Sequence, residues 1–251
     1  MLSPERTEVV ARQKKRILLI DDDSDLTHLL KLNLEETGAY EVKEENRGED
    51  ALAAARAFWP DLILLDLMMP NVLGGKVATQ LEADEELKET PIVFFTAVVT
   101  EESKKRGTIG GRPFIEKPAS PEEVMEAIEQ HLPKKILLIC DEGDVSRLLR
   151  RNIEETPAFR TVVATGEEAA LELIKTFRPD LILLDMMMPG MDGIETLRRI
   201  KGIAPDLPVA MVTAVRREEE ATQCREAGAS AYITKPVDVE ELTAALVVQP
   251  F

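Results

Sequence analysis

The stretch from Pro60 to Pro70 reads PDLILLDLMMP, and 119 positions later Pro179 to Pro189 reads PDLILLDMMMP, identical at ten of eleven positions. Nothing else in the chain restricts its folding as tightly. The same offset relates Lys15-Arg16-Ile17-Leu18-Leu19-Ile20 to Lys134-Lys135-Ile136-Leu137-Leu138-Ile139. Pro91-Ile92-Val93 and Lys117-Pro118 recur as Pro208-Val209-Ala210 and Lys235-Pro236, at offsets of 117 and 118. Solenoid repeats are only about 20–50 residues long, so a period of this size means two globular domains of one type. The 251 residues then divide into an N-terminal extension, 1–14, and two domains, 15–132 and 133–251.

Within each copy, short apolar runs alternate with helical patterns. In the first copy the spacing predicts strands over 16–20, 40–44, 62–65, 91–96 and 113–116. Helices are expected over 24–37, 48–58, 75–88 and 120–132, with a doubtful one near 100–108. Runs such as Leu62-Ile63-Leu64-Leu65 are apolar throughout, which suits parallel strands covered on both faces. Five strands alternating with helices give a doubly wound α/β domain, and in such sheets ligands bind beyond the carboxyl ends of the strands.

Those ends carry chemistry. The first strand runs into Asp21-Asp22-Asp23, the third into Asp66, the fourth into Thr96 and the fifth into Lys117-Pro118. Carboxylates converging on one rim repel each other and need a cation, and an all-oxygen set suits Mg²⁺. A lysine opposite them pairs with a carboxylate at rest and with a phosphoryl group later, and a threonine hydroxyl donates to a phosphoryl oxygen. These parts describe phosphoryl transfer to an aspartate. Asp23 and Asp25 are expected to begin or cap the first helix, the methionines at 68–69 and 186–188 to pack at strand ends, and His28 and His131 to sit on exposed helix positions.

Composition narrows the setting. With 31 Lys and Arg against 47 Asp and Glu, the net charge is −16, which disfavours direct nucleic-acid binding. No apolar run reaches the roughly 18–20 residues that span a bilayer, so no membrane insertion is expected. Two cysteines exclude a disulfide framework and suit a cytoplasmic location.

Taken together, these motifs resemble the response-regulator receiver domain of two-component signalling, of the chemotaxis-regulator type, twice over. The resemblance implies two tandem flavodoxin-like (βα)5 domains, each with a five-stranded parallel sheet of order 2-1-3-4-5. It implies that Asp66 accepts a phosphoryl group, that Asp21 and Asp22 form the acidic pair around Mg²⁺, and that the backbone carbonyl of Met68 completes the metal set. Thr96 and Lys117 match the switch hydroxyl and the lysine of the family, and Phe114 its switch aromatic. In the second copy the matches are Asp185, Met187, Thr213, Lys235 and Tyr232. The implied donor is a histidine kinase or histidine phosphotransfer protein, and the output is binding to a downstream protein, with dimerisation left open. No turnover of a small molecule is expected of such a chain beyond its own phosphorylation and dephosphorylation.

The copies depart from each other. Cys140 stands where the first copy has Asp21, leaving Asp141 of the acidic pair, with Glu142 next to it. A thiol is a poor ligand for a hard ion, so weaker metal binding is expected there, with Asp185 still phosphorylated; the alternative is a phosphorylation-deficient interaction module. In the first copy, Gly107, Gly110 and Gly111 fall where the second has a plausible helix over 217–228, so a short or irregular fourth helix is expected. No DNA-binding, cyclase or kinase motif follows Lys235-Pro236 within this sequence. A remote alternative is a Mg²⁺-dependent phosphatase with an aspartate nucleophile at Asp21-Asp22-Asp23, against which Cys140 argues.

Overall fold

A computed structural model describes residues 14–140, 150–151, 153, 158–188, 191–215 and 217–237. The chain divides into two compact units, one from Lys14 to Leu132 and one that includes the chain from Pro133 onward. In the first, β1 (Lys15–Ile20), β2 (Tyr40–Glu45), β3 (Leu62–Leu65), β4 (Ile92–Thr96) and β5 (Phe114–Glu116) form one parallel sheet in the order β2-β1-β3-β4-β5. Between the strands run α1 (Ser24–Glu36), α2 (Ala51–Phe58), α3 (Gly74–Glu82) and α4 (Glu101–Arg106), and α5 (Pro121–His131) follows β5.

Successive strand residues point to opposite faces, so an unbroken apolar strand feeds two cores. Ile17, Leu19, Leu64 and Phe95 pack with Leu30 and Leu34 of α1 and with Val124 and Ile128 of α5. Leu18, Ile20, Ile63 and Phe94 pack on the other side with Ala54 and Ala55 of α2 and with Val77 and Leu81 of α3. Each of the valine, leucine, isoleucine and phenylalanine side chains contributes about 1.5–3 kcal/mol on burial. Caps set the helix starts: the Asp23 carboxylate accepts from the Asp25 and Leu26 amides, and Ser120 and Glu123 form a reciprocal capping box.

The second unit repeats the plan. Strands β6 (Lys134–Ile139), β7 (Phe159–Ala164), β8 (Leu181–Asp185), β11 (Val209–Thr213) and β12 (Ala231–Thr234) form a parallel sheet of order β7-β6-β8-β11-β12. A two-residue antiparallel ribbon, β9 (Met187–Met188) with β10 (Met191–Asp192), follows β8. Its helices among the described residues include α6 (Glu167–Thr176), α7 (Gly193–Ile203) and α8 (Glu218–Glu226).

Two local departures from the sequence reading have physical causes. Helix α3 ends at Glu82 and does not continue to residue 88. The Asp84 side chain is drawn in by Arg56 of α2, whose Nε and Nη2 donate to Asp84 Oδ2 at 2.8 and 2.6 Å. The Asp84 carbonyl meanwhile takes up turn hydrogen bonds from Leu87 and Lys88. His131 is half-buried rather than exposed, and that burial pushes its imidazole below the usual 6.5.

The fourth helix is short, as its glycines lead one to expect. Helix α4 buries none of its six residues and stops at Gly107 with φ +69°. Ile109 and Arg112 then exchange backbone hydrogen bonds of 2.8 and 3.1 Å around Gly110 and Gly111, whose φ values of +58° and +83° make a two-residue hairpin turn. Arg112 anchors this hairpin, donating to both carboxylate oxygens of Glu82 in α3 at 2.7 and 2.5 Å and lying over the Phe94 ring.

Candidate functional site

In the first unit Asp21, Asp66 and Lys117 meet, and Thr96 ends the strand between Asp66 and Lys117. Asp21 follows β1, Asp66 follows β3, Thr96 ends β4 and Lys117 follows β5, and the parallel register brings all four ends to one side of the sheet. Asp21 is 4% exposed, Asp66 8% and Thr96 0%, while Asp22 is exposed at the rim. Lys117 Nζ donates to Asp21 Oδ2 at 2.5 Å and to Asp66 Oδ2 at 3.1 Å. Burial pushes the Asp21 carboxyl above its usual 3.8 even though the Lys117 ammonium pulls the other way. For Lys117, burial favours the neutral amine, but the hydrogen bonds and charges of Asp21 and Asp66 outweigh it and hold the ammonium above the usual 10.5.

One carboxylate oxygen each from Asp21, Asp22 and Asp66 lie within 4.8 Å of one another. Three hard oxygen donors around a single lysine leave a formal charge of −2, which fits a small divalent cation of the Mg²⁺ type. Met68 projects its side chain outward, 56% exposed, while its amide donates to Asp66 Oδ1 at 3.3 Å, so its backbone stays beside the Asp66 carboxylate. Met69 is the methionine that packs into the core. Phe114 is half-buried against the core, and Thr96 Oγ1 accepts from the Val98 amide at 3.2 Å.

Among the described residues the second unit repeats the pairing of lysine with aspartate. Lys235 Nζ donates to Asp185 Oδ2 at 2.5 Å, and the Met187 amide donates to Asp185 Oδ1 at 3.1 Å. Thr213 is buried and its hydroxyl donates to the Val215 carbonyl at 3.1 Å. Tyr232 is half-buried, its hydroxyl 3.4 Å from Glu220 Oε2, and burial raises its pKa. Cys140 is buried in an apolar cluster with Leu138, Leu183 and Val212, as a small strand-end residue. Asp141 and Glu142 lie outside the described residues.

Sequence reasoning missed one group on each rim. Gly74 opens α3 so close to the acidic site that a Cβ there would collide with the Asp66 carbonyl oxygen. Gly193 holds the matching place, where a Cβ would stand 3.0 Å from Met186 Cα and 3.1 Å from the Asp185 carbonyl. The signal was present, since each glycine follows its aspartate by eight residues.

The site and the fold together define a receiver of phosphoryl signalling, and comparison with known proteins agrees. The family model "Response regulator receiver domain" matches residues 17–129 and again 136–247, and the chain belongs to that family through both units. The sporulation initiation phosphotransferase F of Bacillus subtilis is 36% identical over 109 residues, covering 43% of this chain and 87% of that protein. The response regulator MprA of Mycolicibacterium vanbaalenii is 37% identical over 113 residues, covering 45% of this chain and 48% of that protein. The chain thus spans about half the length of the MprA-type relatives. Among solved structures, a LuxR-family two-component response regulator from Aurantimonas is 30% identical with a TM-score of 0.44, covering 47% of this chain and 88% of that one. Among the described residues no helix is long and apolar enough to cross a membrane.

Proposed function

We propose that the protein is a tandem-receiver response regulator in which Asp66, and with it Asp185, accepts a phosphoryl group from a phosphohistidine donor. The observation that carries this reading is the Lys117 ammonium held between Asp21 and Asp66 at the carboxyl ends of a parallel sheet. An Asp66 carboxylate oxygen attacks phosphorus, the phosphorus–nitrogen bond to the donor imidazole breaks, and the imidazole leaves with the electron pair. Lys117 turns from carboxylate to phosphoryl oxygen, and the Thr96 hydroxyl donates to a second one. Asp21, Asp22, Asp66 and the Met68 carbonyl would hold Mg²⁺, which when bound supplies charge that offsets the phosphoryl oxygens. The added charge biases the Thr96 and Phe114 region between two arrangements that a downstream protein distinguishes.

Intact-mass spectrometry after exposure to acetyl phosphate and Mg²⁺ tests this, on the parent, Asp66→Ala and Asp185→Ala. Two added phosphoryl groups, one lost in each variant, are expected. A second reading makes the second unit a docking module, because Cys140 sits in an apolar cluster and Lys235 already closes on Asp185. One group, lost only in Asp66→Ala, would select it. Absence of label from either donor type, acetyl phosphate or a phosphorylated histidine kinase, would refute the function.

A further inference from the structure

Asn46 lies one residue beyond β2, outside every motif of the acidic site, yet its side chain grips the loop that carries the acids. Its Nδ2 donates to the Asp21 backbone carbonyl at 2.7 Å and to Thr27 Oγ1 at 3.0 Å. Thr27 is buried in the first turns of α1, where its hydroxyl also donates to the Ser24 carbonyl at 3.1 Å. The amide therefore ties the end of β1 to the start of α1, across the base of Asp21-Asp22-Asp23. Within that loop the Asp23 amide donates to Asp21 Oδ1 at 3.0 Å, so the orientation of the Asp21 carboxylate depends on where the loop is held.

We infer that Asn46 is a positioning residue for divalent-cation binding at Asp21 and Asp22, acting through the Asp21 backbone; the inference rests on the phosphoacceptor reading above. The second unit supports it. Register matches Glu45 opposite Ile20 with Ala164 opposite Ile139, so the residue following each strand corresponds. There the second unit has Thr165, exposed, and where Asp21 stands it has Cys140. The anchor and the acid it anchors are replaced together. Groups that orient metal ligands from behind typically contribute about 10–100-fold in metal affinity.

The chemistry provides a test with opposed signs. A carbonyl only accepts, so the atom facing Asp21 must be a donor. Asn46→Asp keeps the shape but sets a carboxylate against that carbonyl, releasing the loop. Simple charge addition near the acids would instead tighten cation binding. Mg²⁺ titration of the ¹⁵N-labelled full chain, followed at the Asp22, Asp66 and Met68 amides, reads this site alone. Asn46→Asp and Asn46→Ala are expected to weaken Mg²⁺ binding about ten-fold or more, with amide exchange in β3 and β4 unchanged. Asn46→Ala carries no repulsion and keeps the test open should Asn46→Asp fold poorly. Binding as tight as the parent's in either folded variant overturns the inference alone; a parent that takes up no Mg²⁺ overturns it together with the metal-assisted function.

Discussion

Lys235 closes on the candidate phosphoacceptor Asp185 at 2.5 Å, whereas its counterpart Lys117 spends that same distance on Asp21 and stands 3.1 Å from Asp66. The lysine has two acidic partners in the first unit. In the second, the place of Asp21 is taken by the thiol of Cys140, and the phosphoacceptor candidate receives the short contact. A cation that displaces Lys117 leaves the lysine poised between groups, while Lys235 must loosen its short ion pair with Asp185 to reach a phosphoryl oxygen.

Removal of these lysines should therefore differ between units. Lys117→Met leaves two buried carboxylates without their counter-charge, at about 1–3 kcal/mol or more. Amide exchange in β1 and β3 should quicken, and Mg²⁺ should slow it again by supplying the lost charge. Lys235→Met should quicken exchange in β8, with a smaller return on adding Mg²⁺. Equal Mg²⁺ rescue of the two variants would contradict the asymmetry.

Acid sensitivity follows from Arg56 and Asp84. The Arg56 hydrogen bond is the largest influence on the Asp84 carboxyl, and it holds the group below its usual 3.8. The unfolded chain then binds more protons than the folded one as pH falls through 3.8. The contribution is thus present above that value and lost as pH drops through the lower folded value. Thermal melts of Arg56→Gln should lie below the parent at pH 5–7, and the gap should narrow as pH falls below 3.8. Parallel curves across that range would show that Asp84 does not titrate with this partner.

Gly74 and Gly193 should tolerate a methyl group unequally. Gly74→Ala drives into the Asp66 carbonyl, whereas at Gly193 the nearest atoms stand at 3.0–3.2 Å and need shift only a few tenths of an ångström. Misplacing a reacting group by about 1 Å can cost up to about 100-fold in rate. Phosphoryl incorporation at Asp66 should slow by at least about ten-fold in Gly74→Ala, and incorporation at Asp185 only mildly in Gly193→Ala. Site-resolved labelling kinetics with acetyl phosphate measure both; a larger loss at Gly193 would count against the geometry.

The hairpin after α4 depends on two left-handed glycines. A valine at Gly111, where φ is +83°, costs about 1–2 kcal/mol or more in a conformation that side chains avoid. Gly111→Val should raise amide exchange over residues 107–113 while Asp66 labelling persists, because Lys117 and the Met68 amide hold the Asp66 carboxylate and Glu82 anchors the hairpin. Loss of labelling together with hairpin order would show the two to be coupled.

Much of this architecture was legible along the chain because its signals are local. Strands buried on both faces need unbroken apolar runs such as Leu62 to Leu65, a helix start needs a capping carboxylate such as Asp23, and clustered glycines stop α4. The duplicated motifs placed Asp66, Thr96 and Lys117 at strand ends, and the change from Asp21 to Cys140 was visible by alignment of the chain with itself. What the tertiary structure decided are relations between groups far apart in sequence. Lys117 meets Asp21 across 96 residues and Asp66 across 51, and no periodicity says which carboxylate it takes at the shorter distance. Asp84 ended α3 early through an arginine 28 residues away, and Asn46 reached the acidic loop across 25. Local propensity is encoded by neighbours along the chain, but these pairings exist only once the sheet order has set which loops share a rim.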